Sequence, residues 1–486
     1  MTRPTPSTRP TSGAAPADAS APAESFAPAD ALAPADALAP AESFAPADAL
    51  APADALAPAD ALAPGEAFAP AEAFAPADGL APAEALARAN PLTPADGLAP
   101  ADGLAPTDAR ARDVVAYYHQ DRKGPLLRGA ILPLAERYEA EGLTAHVERH
   151  WLYGPHLRLR LQGPPERATD VARAAEDAAR TVRAWIADHP SQGGPGTDEL
   201  LAEAARAGRA ELIAPPYGPI VADNTVRVER VDLAALRGLI GADGTALRGD
   251  LLRLGRPALR AGSAFLGAHD DGAAARVQFA AAVLTAHACV YPGEGLPGGH
   301  FSYVSHLEDF LLYDDPDGTL RAAFESRWQR TSGAVTALVA RIADGRTTPW
   351  EQEWAHWSAQ AWRLTEDRLT AGADLHGLPL EYRVRAAATG HADAVVRWNQ
   401  DIRTDYSEFH QLLRRSDPEG RMWSRPEYLV YRACTNALYQ LLMICDVRPL
   451  ERYLAAYLVT RAVKEVTGCD WRQVINDVID VMEHRR

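Results

Sequence analysis

Histidine and arginine alternate with leucine along His156-Leu157-Arg158-Leu159-Arg160-Leu161, the stretch of this chain whose residue types and spacing best suit chemistry. Successive side chains of a strand point to opposite faces, so Leu157, Leu159 and Leu161 turn to a core while His156, Arg158, Arg160 and Gln162 line the other surface. That surface is a row of donors for an anion. Guanidiniums stay charged at any ordinary pH, and two on one face repel unless water or an anionic ligand lies between them. A solvated sheet face carries the same pattern on periodicity alone, and His150 and His156 equally fit histidines satisfied beside a turn.

The elements that must hold this row follow from the flanking pattern. His150-Trp151-Leu152-Tyr153 and the Gly154-Pro155 turn make the row one arm of a hairpin. Asp113 to His119 alternates as a further strand, Leu126 to about Ala140 and Glu166 to Asp188 have helical spacing, and Ile220 to Asp232 alternates again as an edge strand. The order β-α-β-β-α predicts a small mixed sheet with flanking helices. After Asp232 the spacing is helical almost throughout: Leu251 to Leu266, Ala273 to Tyr291, Leu320 to Ala343, Glu351 to Ala371, Tyr382 to Leu413, Arg425 to Cys445 and Pro449 to Glu465. Ser305-His306-Leu307-Glu308 fits a capping box and predicts a helix starting at His306. The fold class is therefore α+β, a sheet half followed by a mainly helical half over residues 111–486.

Residues 1–110 read differently. From Pro16 a proline recurs every six residues through Pro106, interrupted only at Arg88, typically with an acid two residues later and Leu or Phe four later. Proline at that frequency excludes a stable helix, and the near-absence of β-branched residues, with a proline in each rung, argues against a hexapeptide β-helix. The expectation is a disordered, acidic, partly polyproline-like tail that spaces or solubilises, or offers a docking site. Charge divides the same way: of the net -16, Arg3, Arg9 and Arg88 against fifteen acids from Asp18 to Asp108 leave -12 over residues 1–108 and -4 beyond them. A nearly balanced body lacks the broad basic surface that nucleic-acid binding needs. No apolar run is long enough to span a membrane and no signal-peptide order is present, so the expected location is cytoplasmic. Cys289, Cys434, Cys445 and Cys469 are widely spaced, and neither a zinc motif, a disulfide framework nor a phosphate-cradling glycine motif is found.

The hairpin resembles the "RY…GPH-x-R-x-R" signature of the lantibiotic dehydratase C-terminal domain, also called the thiopeptide-type bacteriocin biosynthesis domain. Here it stands as Arg149-His150-Trp151, Gly154-Pro155-His156, Arg158 and Arg160, with Val114 to His119 similar to the family's first strand. The resemblance implies a standalone maturation enzyme for ribosomally made, post-translationally modified peptides. Its reaction would be either elimination of glutamate from glutamylated Ser or Thr, or a formal [4+2] cyclisation of two dehydroalanines to a pyridine.

Elimination needs a base for the α-proton and cations for the departing glutamate. The family's eliminases carry a His-Met-x-x-Asn-Arg helix. The matching segment here is Arg432-Ala433-Cys434-Thr435-Asn436-Ala437, with Asn436 kept and arginine in the histidine's place. A guanidinium is a poor base, which tilts the reading to cyclisation unless His156, His306 or His410 takes over. Cyclisation asks for orientation and for stabilisation of an enol-like tautomer, work within reach of Tyr431, Tyr439, Tyr303 or Arg432.

The catalytic candidates are thus Arg149, His156, Arg158, Arg160, Tyr431 and Arg432, with Trp151, His306 and Asn436 as substrate contacts. The cationic side chains are expected to point together into a peptide-sized hollow walled by the C-terminal helices. No metal and no organic cofactor is implied. The expected partners are a precursor peptide with its leader and a dehydratase. A binding-only scaffold for the leader is the remaining alternative.

Overall fold

The computed structural model describes residues 110–376, 379–399 and 402–484. The repeat tail lies outside the described residues except for Arg110. Strand β1 (Ala111–Tyr117) leads to helix α1, which runs over Gly124–Leu126, widens to a π turn at Leu127–Ile131 and continues over Leu132–Ala140. The hairpin follows as β2 (Thr144–His150) and β3 (His156–Gln162), then α2 (Ala168–Asp188), α3 (Thr197–Ala210) and β4 (Thr225–Arg230). The four strands form one sheet in the order β2-β3-β1-β4. The expected small sheet is present, and every pairing in it is antiparallel rather than mixed. Leu157, Leu159 and Leu161 are wholly buried on the face covered by α1 and α2, as the alternation requires.

The second half is helical: α4 (Ala234–Leu254), α5 (Arg256–Gly267), α6 (Ala273–Ala288), α7 (Phe301–Asp314), α8 (Thr319–Ala343) and α9 (Pro349–Thr370). Beyond them lie α10 (Pro379–Ala388), α11 (Ala392–Arg397), α12 (Glu408–Ser416), α13 (Pro426–Ile444), α14 (Pro449–Thr467) and α15 (Trp471–Glu483). Helix α14 packs against α6, α7 and α8, and α9 against α5, α6 and α13. Several boundaries depart from periodicity for local reasons. The Leu251 to Leu266 pattern is cut at Gly255, where a Cβ would sit 2.6 Å from the Leu441 side chain, and Pro257 then opens α5. The Tyr382 to Leu413 pattern breaks into three short helices, the first ending at Gly390 with φ 74° and the last begun by Ser407, which caps the His410 amide.

Ser305 and His306 do not open a helix. They sit inside α7, which enters through the Leu296–Gly299 turn, and the Ser305 hydroxyl pairs with His410 Nε2 at 3.1 Å instead of capping. Gly299 in that turn is required by close approach, since a Cβ there would lie 2.3 Å from the Ala288 carbonyl oxygen. Helices α3 and α15 were not anticipated from the pattern. No helix among the described residues is long and apolar enough to cross a membrane, and among them no cluster of His, Cys, Asp and Glu could hold a metal ion. All four cysteines are free.

Three histidines are built into the helical core. His287 lies between Ser358 Oγ (3.2 Å) and Thr435 Oγ1 (3.1 Å), His410 between Ser407 Oγ (2.7 Å) and Ser305 Oγ (3.1 Å), and His300 against the Pro297 carbonyl (2.7 Å). Burial pushes their pKa values down, to about 3 for His287 and about 4 for His300 and His410. The unfolded chain takes up these protons near pH 6.5 and the folded chain does not, so stability falls as pH drops from 6.5 towards 4. Each histidine contributes about 1.4 kcal/mol per pH unit in that window. Unfolding free energies from urea titrations between pH 7 and 4 are expected to fall through this window, and His287→Asn should flatten the slope by one histidine's share.

Candidate functional site

Strand pairing sets the site by cross-strand register. Glu148, Arg158, Val115 and Arg227 lie opposite one another across the sheet, and so do His146, Arg160, Asp113 and Glu229. The face away from α1 and α2 is therefore a lattice of alternating charge. Arg160 is the centre of it. Its guanidinium makes a two-pronged pair with Asp113 (2.8 and 2.9 Å) and reaches Glu148 at 3.1 Å, with all three residues buried. Burial disfavours the charged guanidinium, but the Glu148 and Asp113 carboxylates outweigh it and raise the Arg160 pKa. Glu148 also accepts from Arg248 of α4 at 3.0 Å. Burial would raise its pKa, yet the Arg160 and Arg248 guanidiniums hold it well below the usual carboxylate range.

Arg158 is held more loosely: 3.5 Å from Asp113, 3.9 Å from Glu148, with its side chain 22 % exposed. Its Nη2 lies 3.4 Å from His156 Nε2. The other ring nitrogen of His156 is 2.8 Å from the Gly154 carbonyl, so Nδ1 carries the hydrogen and Nε2 faces Arg158 as an acceptor. His150 stacks on His156 at 5.7 Å and Tyr117 packs against the same ring at 4.8 Å. Burial raises the Tyr117 pKa, with Glu229 adding to it, so the phenol is a neutral donor.

These residues floor a hollow of about 940 Å³, of the size that takes a peptide segment. Tyr153, Ile213, Ile220 and Leu236 supply apolar wall, and Arg227, Arg248 and Arg385 add cations. The floor can grip a carboxylate or peptide carbonyls through Arg158 and Arg227, and it offers the neutral Tyr117 hydroxyl as a donor beside them.

The structure sorts the candidate residues into four places. His156, Arg158 and Arg160 line the hollow together, as the alternation implied. Arg149 does not join them. It stands opposite Leu157 in the register and so projects from the other face, where it pairs with Asp446 and with the Met443 carbonyl at the end of α13. The parity of the pleat decides this, because Glu148 and His150 take the polar face and Arg149, between them, cannot.

Trp151 is buried and donates from Nε1 to Glu211 at 2.9 and 2.8 Å, fixing the 211–222 segment that walls the hollow. Its role there is positioning. Trp151→Phe removes a donor from a buried carboxylate and is expected to lower stability by about 1.5–3 kcal/mol, measurable by urea denaturation.

Tyr431 lies in the helical core, and His306 is half-buried on α7. The Tyr431 hydroxyl donates to the Gly299 carbonyl at 3.1 Å and meets the Tyr303 hydroxyl at 3.2 Å, while His306 Nδ1 meets the Tyr439 hydroxyl at 3.0 Å. None of these residues lines the hollow. Arg432 and Asn436 line a separate, smaller cavity between α4 and α13, and Arg432 donates to the Leu375 carbonyl. The hollow is accordingly walled by α4, the 211–222 segment and Arg385 of α10, not by the C-terminal helices.

Five lining or supporting residues were missed in the sequence: Asp113, Tyr117, Glu148, Arg227 and Arg248. Alternation could have found Asp113 and Tyr117, which share a face of β1. Arg248 had no signal, since it meets Glu148 from 100 residues away.

Residues 113–214 match the model of the family described as lantibiotic biosynthesis dehydratase C-term. The match spans β1 to the segment after α3 and includes the whole hairpin, in agreement with the resemblance read there. Among solved structures the chain is similar to a pyridine synthase, TbtD, from thiomuracin biosynthesis, with 20% identity and a TM-score of 0.54 over 74% of this chain and 100% of that one. At that identity the likeness is one of fold. No curated protein matches the chain.

Proposed function

We propose that this chain matures ribosomally made peptides of the thiopeptide type, acting on a dehydroalanine-containing precursor by formal [4+2] pyridine-forming cyclisation. The observation that carries the reading is the character of the hollow's floor. It joins a partly exposed cation, Arg158, to a neutral donor at Tyr117 and an acceptor at His156 Nε2, within a volume that admits a folded-back peptide. In such a site Arg158 and Arg227 hold carbonyl oxygens of the substrate. The Tyr117 hydroxyl, kept protonated by burial, donates to charge that develops on an imidic oxygen. The dehydratase C-terminal family match over the hairpin and the pyridine-synthase fold support the same class of reaction.

Glutamate elimination is the second reading, favoured by one feature: His156 Nε2 faces the floor as an acceptor. Its neighbour on that side is the Arg158 guanidinium, whose N–H group already faces that nitrogen at 3.4 Å. Incubation of the full chain with a dehydrated precursor and, separately, with a glutamylated precursor distinguishes the readings by mass spectrometry. Cyclisation gives loss of water and release of the leader from the first; elimination gives loss of glutamate from the second. Binding of the leader with both peptides returned unchanged identifies a scaffold.

A further inference from the structure

The small cavity behind the hollow contains polar groups that the fold does not use. Asn436 and Gln440 stand one turn apart on α13, 4 % and 5 % exposed, and both line the cavity. Neither Asn436 Oδ1, Asn436 Nδ2 nor Gln440 Oε1 makes a hydrogen bond to the protein, and neither does Nε of Arg248, which enters from α4. Leaving four such groups without partners in an apolar setting is strongly unfavourable, and buried polar atoms are paired in the great majority of proteins. The remaining wall is mostly apolar, with Ile240, Leu247, Leu251 and Ala437, but Arg432 and His376 also line it.

The donor and acceptor inventory selects the occupant. Apart from Arg432, whose guanidinium donates to the Leu375 carbonyl, and His376, which pairs with Asp374, the cavity presents N–H donors from Asn436 and Arg248 and acceptors from Asn436 and Gln440, and exchanging the oxygen and nitrogen of Asn436 leaves that mixture the same. A carboxylate would satisfy the donors and set its oxygens against the two carbonyl acceptors. An ammonium would meet the Arg248 and Arg432 cations. A neutral amide serves both sets: its oxygen accepts from Asn436 and Arg248, and its N–H donates to Gln440. Size agrees, for a volume of about 40 Å³ accommodates about three water-sized groups, which is the number of heavy atoms in an amide.

We propose that this cavity is a recognition pocket for one neutral amide of the substrate. Arg248 lines both cavities and ties the pocket to the floor of the hollow through Glu148. That the amide belongs to a peptide lying in the hollow rests on the reading given under the proposed function; the pocket's choice of an amide does not.

The test uses N-methylacetamide and acetate as probes of the full chain by saturation-transfer NMR. Contact with N-methylacetamide is expected, falling about tenfold in Asn436→Leu, which removes two hydrogen-bonding groups. Ala437→Leu, which fills the cavity without altering either amide, is expected to do the same and covers the case in which the first variant does not fold. Acetate contact that vanishes in these variants would make the pocket an anion site and overturn the proposal. Signals from both probes that ignore both variants would overturn it as well, leaving a cavity for water. Neither probe depends on a precursor peptide, so failure of the cyclisation assay and failure of this test are separate results.

Discussion

Arg160→Ala is expected to lower the free energy of unfolding by about 3–5 kcal/mol, the range for breaking a buried ion pair from one side. The magnitude comes from what the substitution leaves behind. Asp113 and Glu148 are 3 % and 7 % exposed, and Asp113 loses both of its short bonds to the guanidinium. Glu148 retains Arg248, so the main damage falls on Asp113. If that account is right, Arg160→Met combined with Asp113→Leu should recover most of the loss, because replacing both members of a buried pair by apolar side chains of similar size is near neutral. Urea denaturation at pH 7 with an unchanged m-value measures both variants. A single variant within about 1 kcal/mol of the parent would mean that the carboxylates reach water and that the lattice on this face is not buried as described.

The result has a functional side, because it separates two arginines that look alike in the sequence. Read as a strand, Arg158 and Arg160 are equivalent donors on one face, and the spacing correctly brings both to the floor of the hollow. It is silent about the carboxylates opposite them. Asp113 comes from a strand 47 residues earlier, and it turns Arg160 from a ligand-binding group into a structural one. Glu148 is nearer in sequence, but its second cation, Arg248, belongs to a helix that local periodicity does not place against the sheet.

Legibility elsewhere follows the same physical line. The hairpin, the sheet and the long helices α6, α8, α9, α13 and α14 are set by periodicity and were readable, down to Pro449 at the first position of α14, while α9 begins at Pro349, two residues before the periodic run. Breaks made by tertiary packing were not, as at Gly255, where a leucine from α13 leaves no room for a side chain. The candidate positions on α13 split for the same reason. Arg432 and Asn436 share a helix face and reach one cavity, whereas Tyr431, beside Arg432, is turned into the core against His287 at 4.8 Å between ring centroids. One residue of helical rotation is about 100°, enough to exchange a cavity for a core.

Arg158→Ala and Arg149→Met are expected to give opposite results, and the pair tests the site assignment directly. Arg158 is partly exposed and loosely paired, so its loss should change stability by less than about 1 kcal/mol. If it grips the substrate, affinity for a labelled precursor peptide should fall about 10- to 100-fold, the loss of one or two charge-assisted hydrogen bonds. Arg149 has a fully buried side chain, and it anchors β2 to Asp446, whose other oxygen accepts from the Gly124 amide at 2.6 Å. Methionine keeps much of the volume but strands the Asp446 carboxylate, so stability should fall by about 3–5 kcal/mol while peptide affinity at low temperature stays near that of the parent. Fluorescence anisotropy and urea denaturation read the two quantities independently. Affinity lost in Arg149→Met and kept in Arg158→Ala would place the peptide on the other face of the sheet, and with it the active site.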